Sequence, residues 1–267
     1  MKILQRMITG MLLLGSFSQA GAGLDETRSS LWLAFSLMDF DYEEFLPGGM
    51  TANREDGTLP GISAGVALSR ERVFAGSRLG FWSGRADYRG PEDSRTDEDI
   101  VDWQASAGLR LYRDARVEAG VYTGGGYRRW ERDIRSTPTA AGLFEIYDWW
   151  YLMLGVRGAY IINADSLIRA DVGLTRPLNP EVEVEFETGF DDQRLELGER
   201  TGARVALTYE KRLDASTTLR IVPWFEYWEL GKSRTVPLTS NGVVVGTVFE
   251  PRSETRNAGI DIGLSWP

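Results

Sequence analysis

From Tyr147 to Tyr160 the chain reads YDWWYLMLGVRGAY, and its apolar residues fall on alternate positions. Trp150, Leu152, Leu154 and Val156 make one set; Tyr151, Met153, Gly155 and Arg157 make the other. A period of two is that of a strand, whose successive side chains point to opposite faces. A membrane helix needs about 20 apolar residues; this run is shorter and contains Arg157. The same alternation returns at 31–38, 62–69, 78–84, 101–111, 117–124, 168–174, 202–209, 219–227 and 257–266. That gives about ten strands, each near the length a tilted membrane strand requires. The connections take turns between short (69–72, 112–115, 162–166, 213–216) and long and polar (43–61, 89–99, 131–145, 175–199, 231–255). Short and long connections in alternation predict an all-β fold, an antiparallel up-and-down transmembrane β-barrel of about ten strands, with eight or twelve as alternatives. Short turns then face the periplasm and long loops the outside. A soluble β-sandwich is the competing architecture, and its outer faces would be polar.

The first residues add a direction of export. Lys2 and Arg6 precede an apolar core from Met7 to Phe17, and Ala20-Gly21-Ala22 follows. This predicts a cleaved signal peptide over 1–22, with the barrel as a single domain over 23–267. The formal net charge of -9 becomes about -11 without that segment, which argues against nucleic acid as a partner. The chain has no Cys and no His. It therefore has no disulfide framework and lacks the usual general base, the Ser-His and Cys-His nucleophile systems and the commonest zinc ligand. Mean hydropathy is -0.26, too low for a helical membrane protein.

The signal peptide, the strand pattern and the C-terminal GIDIGLSWP together resemble the transmembrane β-barrels of Gram-negative outer membranes, over nearly all of the mature chain. Such barrels usually end on an aromatic that their insertion machinery recognises; Trp266 matches in kind, although Pro267 follows it. Strand number and loop alternation resemble the omptin class of ten-stranded barrels, surface proteases that use a His and several Asp at the barrel top. With no His here, that activity does not carry over. The resemblance implies an outer-membrane location, with membrane lipid, lipopolysaccharide and the barrel-insertion machinery as partners.

With the apolar faces outward, each residue acquires a height. Trp103, Tyr127, Trp150 and Tyr227 fall near the long-loop ends, and Tyr160, Tyr209 and Trp266 near the opposite ends. These sets form two aromatic girdles at the lipid headgroups. The inward set contains Arg78, Arg110, Arg128, Arg157, Arg169, Arg204 and Arg220 against Asp102, Glu118, Asp171, Glu210, Glu226 and Asp261, so the signs nearly cancel. Trp82, Tyr122, Trp130, Trp149, Tyr151, Trp224 and Trp228 lie between them, spaced by glycines. Balanced charge and bulky rings predict a lumen closed by ion pairs, whereas a selective pore shows an excess of one sign. Pro223, in mid-strand, predicts a bulge.

Four further segments carry candidate chemistry. GGGYRRW (124–130) lacks the GK[ST] of a phosphate loop and is expected to set glycines in the lumen beside Tyr127, Arg128 and Trp130. MDFDYEE places Asp39, Asp41 and Glu43 on one side of a strand at the outer rim, where paired carboxylates could do acid-base work or hold Ca²⁺; a solvated acidic rim is the plainer reading. TDED (96–99) reads as a charged loop. PEVEVEFETGFDDQRLELGE (180–199) reads as a hairpin that projects above the membrane and packs its apolar side on neighbouring loops. No catalytic, cofactor or metal site emerges. The sequence points to a non-enzymatic barrel, structural or binding a surface partner through long acidic loops. A narrow solute channel is the alternative, and a hydrolase using rim carboxylates the second alternative.

Overall fold

The computed structural model describes residues 28–267, so the expected signal peptide lies outside the described residues. Fourteen strands run β1 (Arg28–Phe45), β2 (Thr51–Arg70), β3 (Val73–Arg89), β4 (Ser94–Arg113), β5 (Val117–Ile134), β6 (Leu143–Asn163), β7 (Ser166–Phe186), β8 (Gln193–Glu196), β9 (Gly198–Glu199), β10 (Gly202–Arg212), β11 (Thr218–Gly231), β12 (Val236–Ser240), β13 (Val243–Val248) and β14 (Arg252–Trp266). Each neighbour pairs antiparallel from β1 to β7; β10 pairs with β7, β11 with β10, β14 with β11, and β1 with β14. The sheet therefore closes on itself as a ten-stranded barrel, with β8 and β9 as broken upper pieces of the strand that continues into β10. Closure satisfies every edge, the condition for a sheet to stand in lipid. The hairpin β12–β13 forms a separate two-stranded sheet at the outer end of the barrel.

The wall is taller than the sequence pattern indicates. On β1 the outward residues Leu31, Leu33, Phe35 and Leu37 are exposed and apolar, but the next outward positions are Asp39, Asp41 and Glu43. On β4 the outward apolar series ends at Val101, above which come Asp99, Asp97 and Arg95; on β5 Arg129, Glu131 and Asp133 follow Tyr127. Inside, the order is reversed. Phe40, Tyr42, Leu59, Ile100, Trp130, Tyr147, Val182 and Leu195 form a buried apolar cluster at those heights. The lower half is thus a membrane barrel, apolar outside and polar inside. The upper half is built like a water-soluble barrel, polar outside and apolar inside.

This inversion corrects the connection lengths. The segments 43–61, 89–99 and 175–199, expected as long loops, are mostly continuing strand; in 131–145 the strands extend to Ile134 and from Leu143, and 231–255 holds β12 and β13. TDED lies within β4, with Thr96 and Glu98 buried and Asp97 and Asp99 on the outer side. An alternation whose apolar side faces inward, read with an outward-apolar template, registers as polar sequence.

Pro223 makes no bulge. Its pairing with Ile260 continues the β11–β14 register, and the β10–β11 register is the same on both sides of it, with only the pairs of Val222 and Pro223 missing. A proline removes one N–H donor, and here the ladder lapses without slipping. Pro60 interrupts β2–β3 in the same way. Bulges lie at Glu44/Phe45, Arg110/Tyr112, Asp148/Trp150 and Ile161/Asn163.

Candidate functional site

Functional side chains converge from many strands in the barrel interior, which has three levels. The lowest is a cup of about 910 Å³ in the membrane half, whose lining runs down to the short-turn end. Arg110 pairs with Glu118 at 2.9 Å, and Arg113 shares that carboxylate at 3.2 Å. Arg157 meets Asp171 at 2.5 Å and lies over the Phe74 ring at 4.5 Å. Arg169 and Arg220 share Glu210 at 3.4 and 3.3 Å, and Arg220 covers Trp32.

The second level roofs this cup. Asp261 accepts from Ser36 (2.6 Å), Ser63 (3.1 Å), Trp224 Nε1 (3.0 Å) and Arg78 Nη2 (3.3 Å). Glu226 accepts from Arg128 (2.7 Å), Arg204 (3.1 Å) and Asn257 (2.9 Å). Asp102 accepts from Tyr151 at 3.1 Å and lies 3.9 Å from Arg128 and 4.0 Å from Arg78. Three arginines face three carboxylates. Trp82, Trp149, Trp224 and Trp228 pack edge-to-face around them. The rings fit because glycines opposite them leave room: a Cβ on Gly80 would lie 2.3 Å from Trp82, and one on Gly259 2.4 Å from Trp224. All thirteen charged residues expected inside are therefore in these two levels, and each has an opposite charge within 4.0 Å.

The third level, the outer chamber, is absent from the sequence-based picture. Arg132, fully buried, pairs with Glu55 and Glu145 at 2.7 Å each and with Glu44 at 3.5 Å, and lies over the Tyr42 ring. Glu98 accepts from Trp130 Nε1, and Glu250 from Tyr147 at 2.7 Å. Five buried glutamates stand around one buried arginine, so the expectation that inward charges cancel fails here. All lie above the apolar belt. Burial pushes the Glu145 carboxyl up to about 7. Burial, then the neighbouring Glu55, raises Glu98 well above the carboxylate range; burial, then Glu44, does the same for Glu250. The signal that could have found this level was the inward alternation Phe40, Tyr42, Glu44 and Ile100, Glu98, Thr96.

The remaining expectations fall outside the lumen or on its edge. Trp103, Tyr127 and Trp150 form one contiguous aromatic patch at the upper edge of the belt, with the Tyr127 and Trp103 centroids 5.2 and 6.2 Å from that of Trp150; Tyr227 faces outward on β11. Tyr160 and Tyr209 both oppose Ile168 at the lower edge, and Trp266 is exposed there. Asp41 pairs with Arg54 and Arg256, and Glu43 with Thr51 and Arg256, all on the outer wall. Gly124 and Gly126 face the lumen with Arg128 and Trp130, while Tyr127 faces out. In 180–199, Val182 and Val184 pack into the upper core with Leu195, and Asp191 accepts from the backbone N–H groups of Asn241 and Gly242 in the β12–β13 turn. Among the described residues no group of three or more acidic side chains is arranged to hold a metal ion.

A closed antiparallel barrel with an apolar belt, aromatic edges and a charged interior defines a transmembrane β-barrel of the outer-membrane type. No family model matches the chain, and no curated protein does. Among solved structures it is similar to the outer membrane protease OmpT of Escherichia coli, with a TM-score of 0.67 and 9% identity over 89% of this chain and 96% of that one. The outer membrane protein OprG of Pseudomonas aeruginosa gives a TM-score of 0.45 at 9% identity over 91% and 94%. The translocator domain of the autotransporter NalP of Neisseria meningitidis gives 0.42 at 12% over 88% of each. At 9% identity the likeness to OmpT is one of fold: the chain has the ten-stranded architecture of the omptin-like barrel.

Proposed function

We propose that this protein is a non-enzymatic outer-membrane barrel with a closed lumen, which holds a rigid, highly charged wall and the β12–β13 hairpin above the membrane for a surface partner. The observation that carries this reading is the upper half: an apolar core fills it where a conducting or catalytic barrel needs water. Met38, Phe40, Tyr42, Leu59 and Tyr147 are all fully buried. A hydrolase using rim carboxylates finds little support, since Asp41 and Glu43 point away from the lumen and are neutralised by arginines. A solute channel has the cup in its favour, but that cup ends at Arg78, Asp261 and their tryptophan neighbours. Planar-bilayer recording of the purified barrel near neutral pH is the test. Closed bilayers are expected; steady unitary currents would move the channel reading to first place.

A further inference from the structure

The outer chamber places five carboxyl groups from separate parts of the wall around one guanidinium. Glu44 comes from β1, Glu55 from β2, Glu98 from β4, Glu145 from β6 and Glu250 from just before β14, with Arg132 on β5. The other titratable groups facing them are Tyr42, Tyr88 and Tyr147; β7 and β8 contribute the apolar Val182, Val184 and Leu195. None of the five glutamates is more than 6% exposed. Fully ionised, they would leave four negative charges uncompensated where water does not reach, an arrangement that buried carboxyls avoid by keeping protons.

A second observation points to the same occupant. Glu55 Oε1 accepts from Arg132 and Thr96, and Glu98 Oε2 from Trp130, yet Glu55 Oε2 and Glu98 Oε1 are buried with no donor. The two carboxyl groups reach one another. A proton shared between the two carboxyl groups would supply the missing donor. A metal ion fits less well, because among the described residues no set of three acidic ligands converges.

We propose that the outer chamber is a proton-binding latch: protons held by Glu98, Glu145 and Glu250 keep the upper half of the barrel closed, and their loss at alkaline pH loosens it. The proposal rests on the closed-lumen reading, since an already open upper half would have nothing to latch. The sign follows from burial, which raises these carboxyls, so the folded chain holds protons that an open chamber would release. Closure is complete in acid and weakens as pH rises through neutrality. Tyr42 and Tyr147, raised further still, stay neutral and keep their hydrogen bonds throughout.

The chain has no cysteine, so one introduced by Ile100→Cys reports on the chamber, and one introduced by Thr51→Cys on the exposed rim. Labelling by a membrane-impermeant maleimide is measured from pH 6 to 9.5 in lipid vesicles, and the rate at position 100 is divided by that at 51 to remove thiol ionisation. The ratio is expected to rise at least tenfold across the range. In an E98Q/E145Q/E250Q background it is expected to stay flat, because the amide that E98Q introduces donates to Glu55 without a titrating proton. A flat ratio in the otherwise native chain, or the same rise in the glutamine background, overturns the latch. Fast labelling already at pH 6 overturns the closed-lumen reading instead. Should Ile100→Cys not fold, hydrogen exchange of β4 and β5 in the native and glutamine chains decides between the same outcomes.

Discussion

Replacing Arg128 tests whether the second level holds the barrel shut. Its side chain is 2% exposed. It gives Glu226 a 2.7 Å bond, lies 3.9 Å from Asp102 and packs its guanidinium over Trp149 and Trp228 at 5.9 and 5.5 Å. Arg128→Ala leaves Glu226 its bonds from Arg204 and Asn257, but leaves Asp102 with Tyr151 and an Arg78 nitrogen at 4.0 Å. One buried carboxylate then lacks its counterion, which costs roughly 3–5 kcal/mol, and the lost ring contacts add about 0.5–2 kcal/mol. Arg157→Ala is the internal comparison. Its pair with Asp171 is 29% and 19% exposed, in the cup rather than behind the roof. Water screens the pair, worth about 1 kcal/mol or less, and the lost contact over Phe74 adds about 0.5–1 kcal/mol. Equilibrium urea unfolding in lipid vesicles, followed by tryptophan fluorescence and by the gel shift between folded and unfolded barrel, measures both. A gap of at least about 2 kcal/mol between the variants is expected, and R128M/D102N should recover much of it, because it also removes the carboxylate that Arg128→Ala strands and leaves Glu226 with Arg204 and Asn257. Equal costs for the two alanine variants, or a silent Arg128→Ala, would refute the view that this level is dry and paired.

The other predictions concern the upper half, packing, topology and processing. Glu145, raised by burial from 4.5 to about 7, contributes stability that is complete below about pH 4.5 and lost as pH rises to about 7, roughly 3 kcal/mol in all; Glu145→Gln should flatten the stability-pH profile in that window, and an unchanged slope counts against it. A Cβ at position 155 would lie 2.4 Å from the Tyr122 ring, so Gly155→Ala should lower stability by about 1–3 kcal/mol in a thermal melt. Epitope tags at Asn241-Gly242 should be reached by antibody on whole cells and tags at Asp165 should not. Intact mass of protein taken from membranes should show cleavage near Ala20 or Ala22; a full-length mass argues against a cleaved signal.

The membrane half of the barrel was legible from sequence because lipid and lumen impose opposite demands on alternate residues. Leu31, Leu33, Phe35 and Leu37 announce their face without help from the rest of the chain. Inward charges such as Arg204 and Asp171 could be placed by strand alone, but not their partners: Arg204 binds Glu226 from the neighbouring β11, whereas Arg128 reaches Glu226 from across the barrel. The upper half was illegible for the converse reason. Beyond Leu37 the outward solvent changes from hydrocarbon to water, and Phe40 and Tyr42 carry the same alternation with its faces exchanged. Glu98 and Glu145 then read as surface acids, although both are buried.

The seating of rings on glycines bears on how such a chain can change over generations. Tyr122 occupies the space that side chains at Gly155 and Gly173 would take, Tyr151 that of Gly126, and Trp82 that of Gly61 and Gly80. Most of these rings and glycines come from neighbouring strands, or from the same strand two residues apart, so neither member is free to vary alone. A larger residue at the glycine meets the ring, and a smaller residue at the ring leaves a void. Descendants of this sequence should therefore alter these positions two at a time, through intermediates weaker than either end. A set of relatives should show them as covarying pairs, while the outward leucines of the belt drift independently among apolar residues.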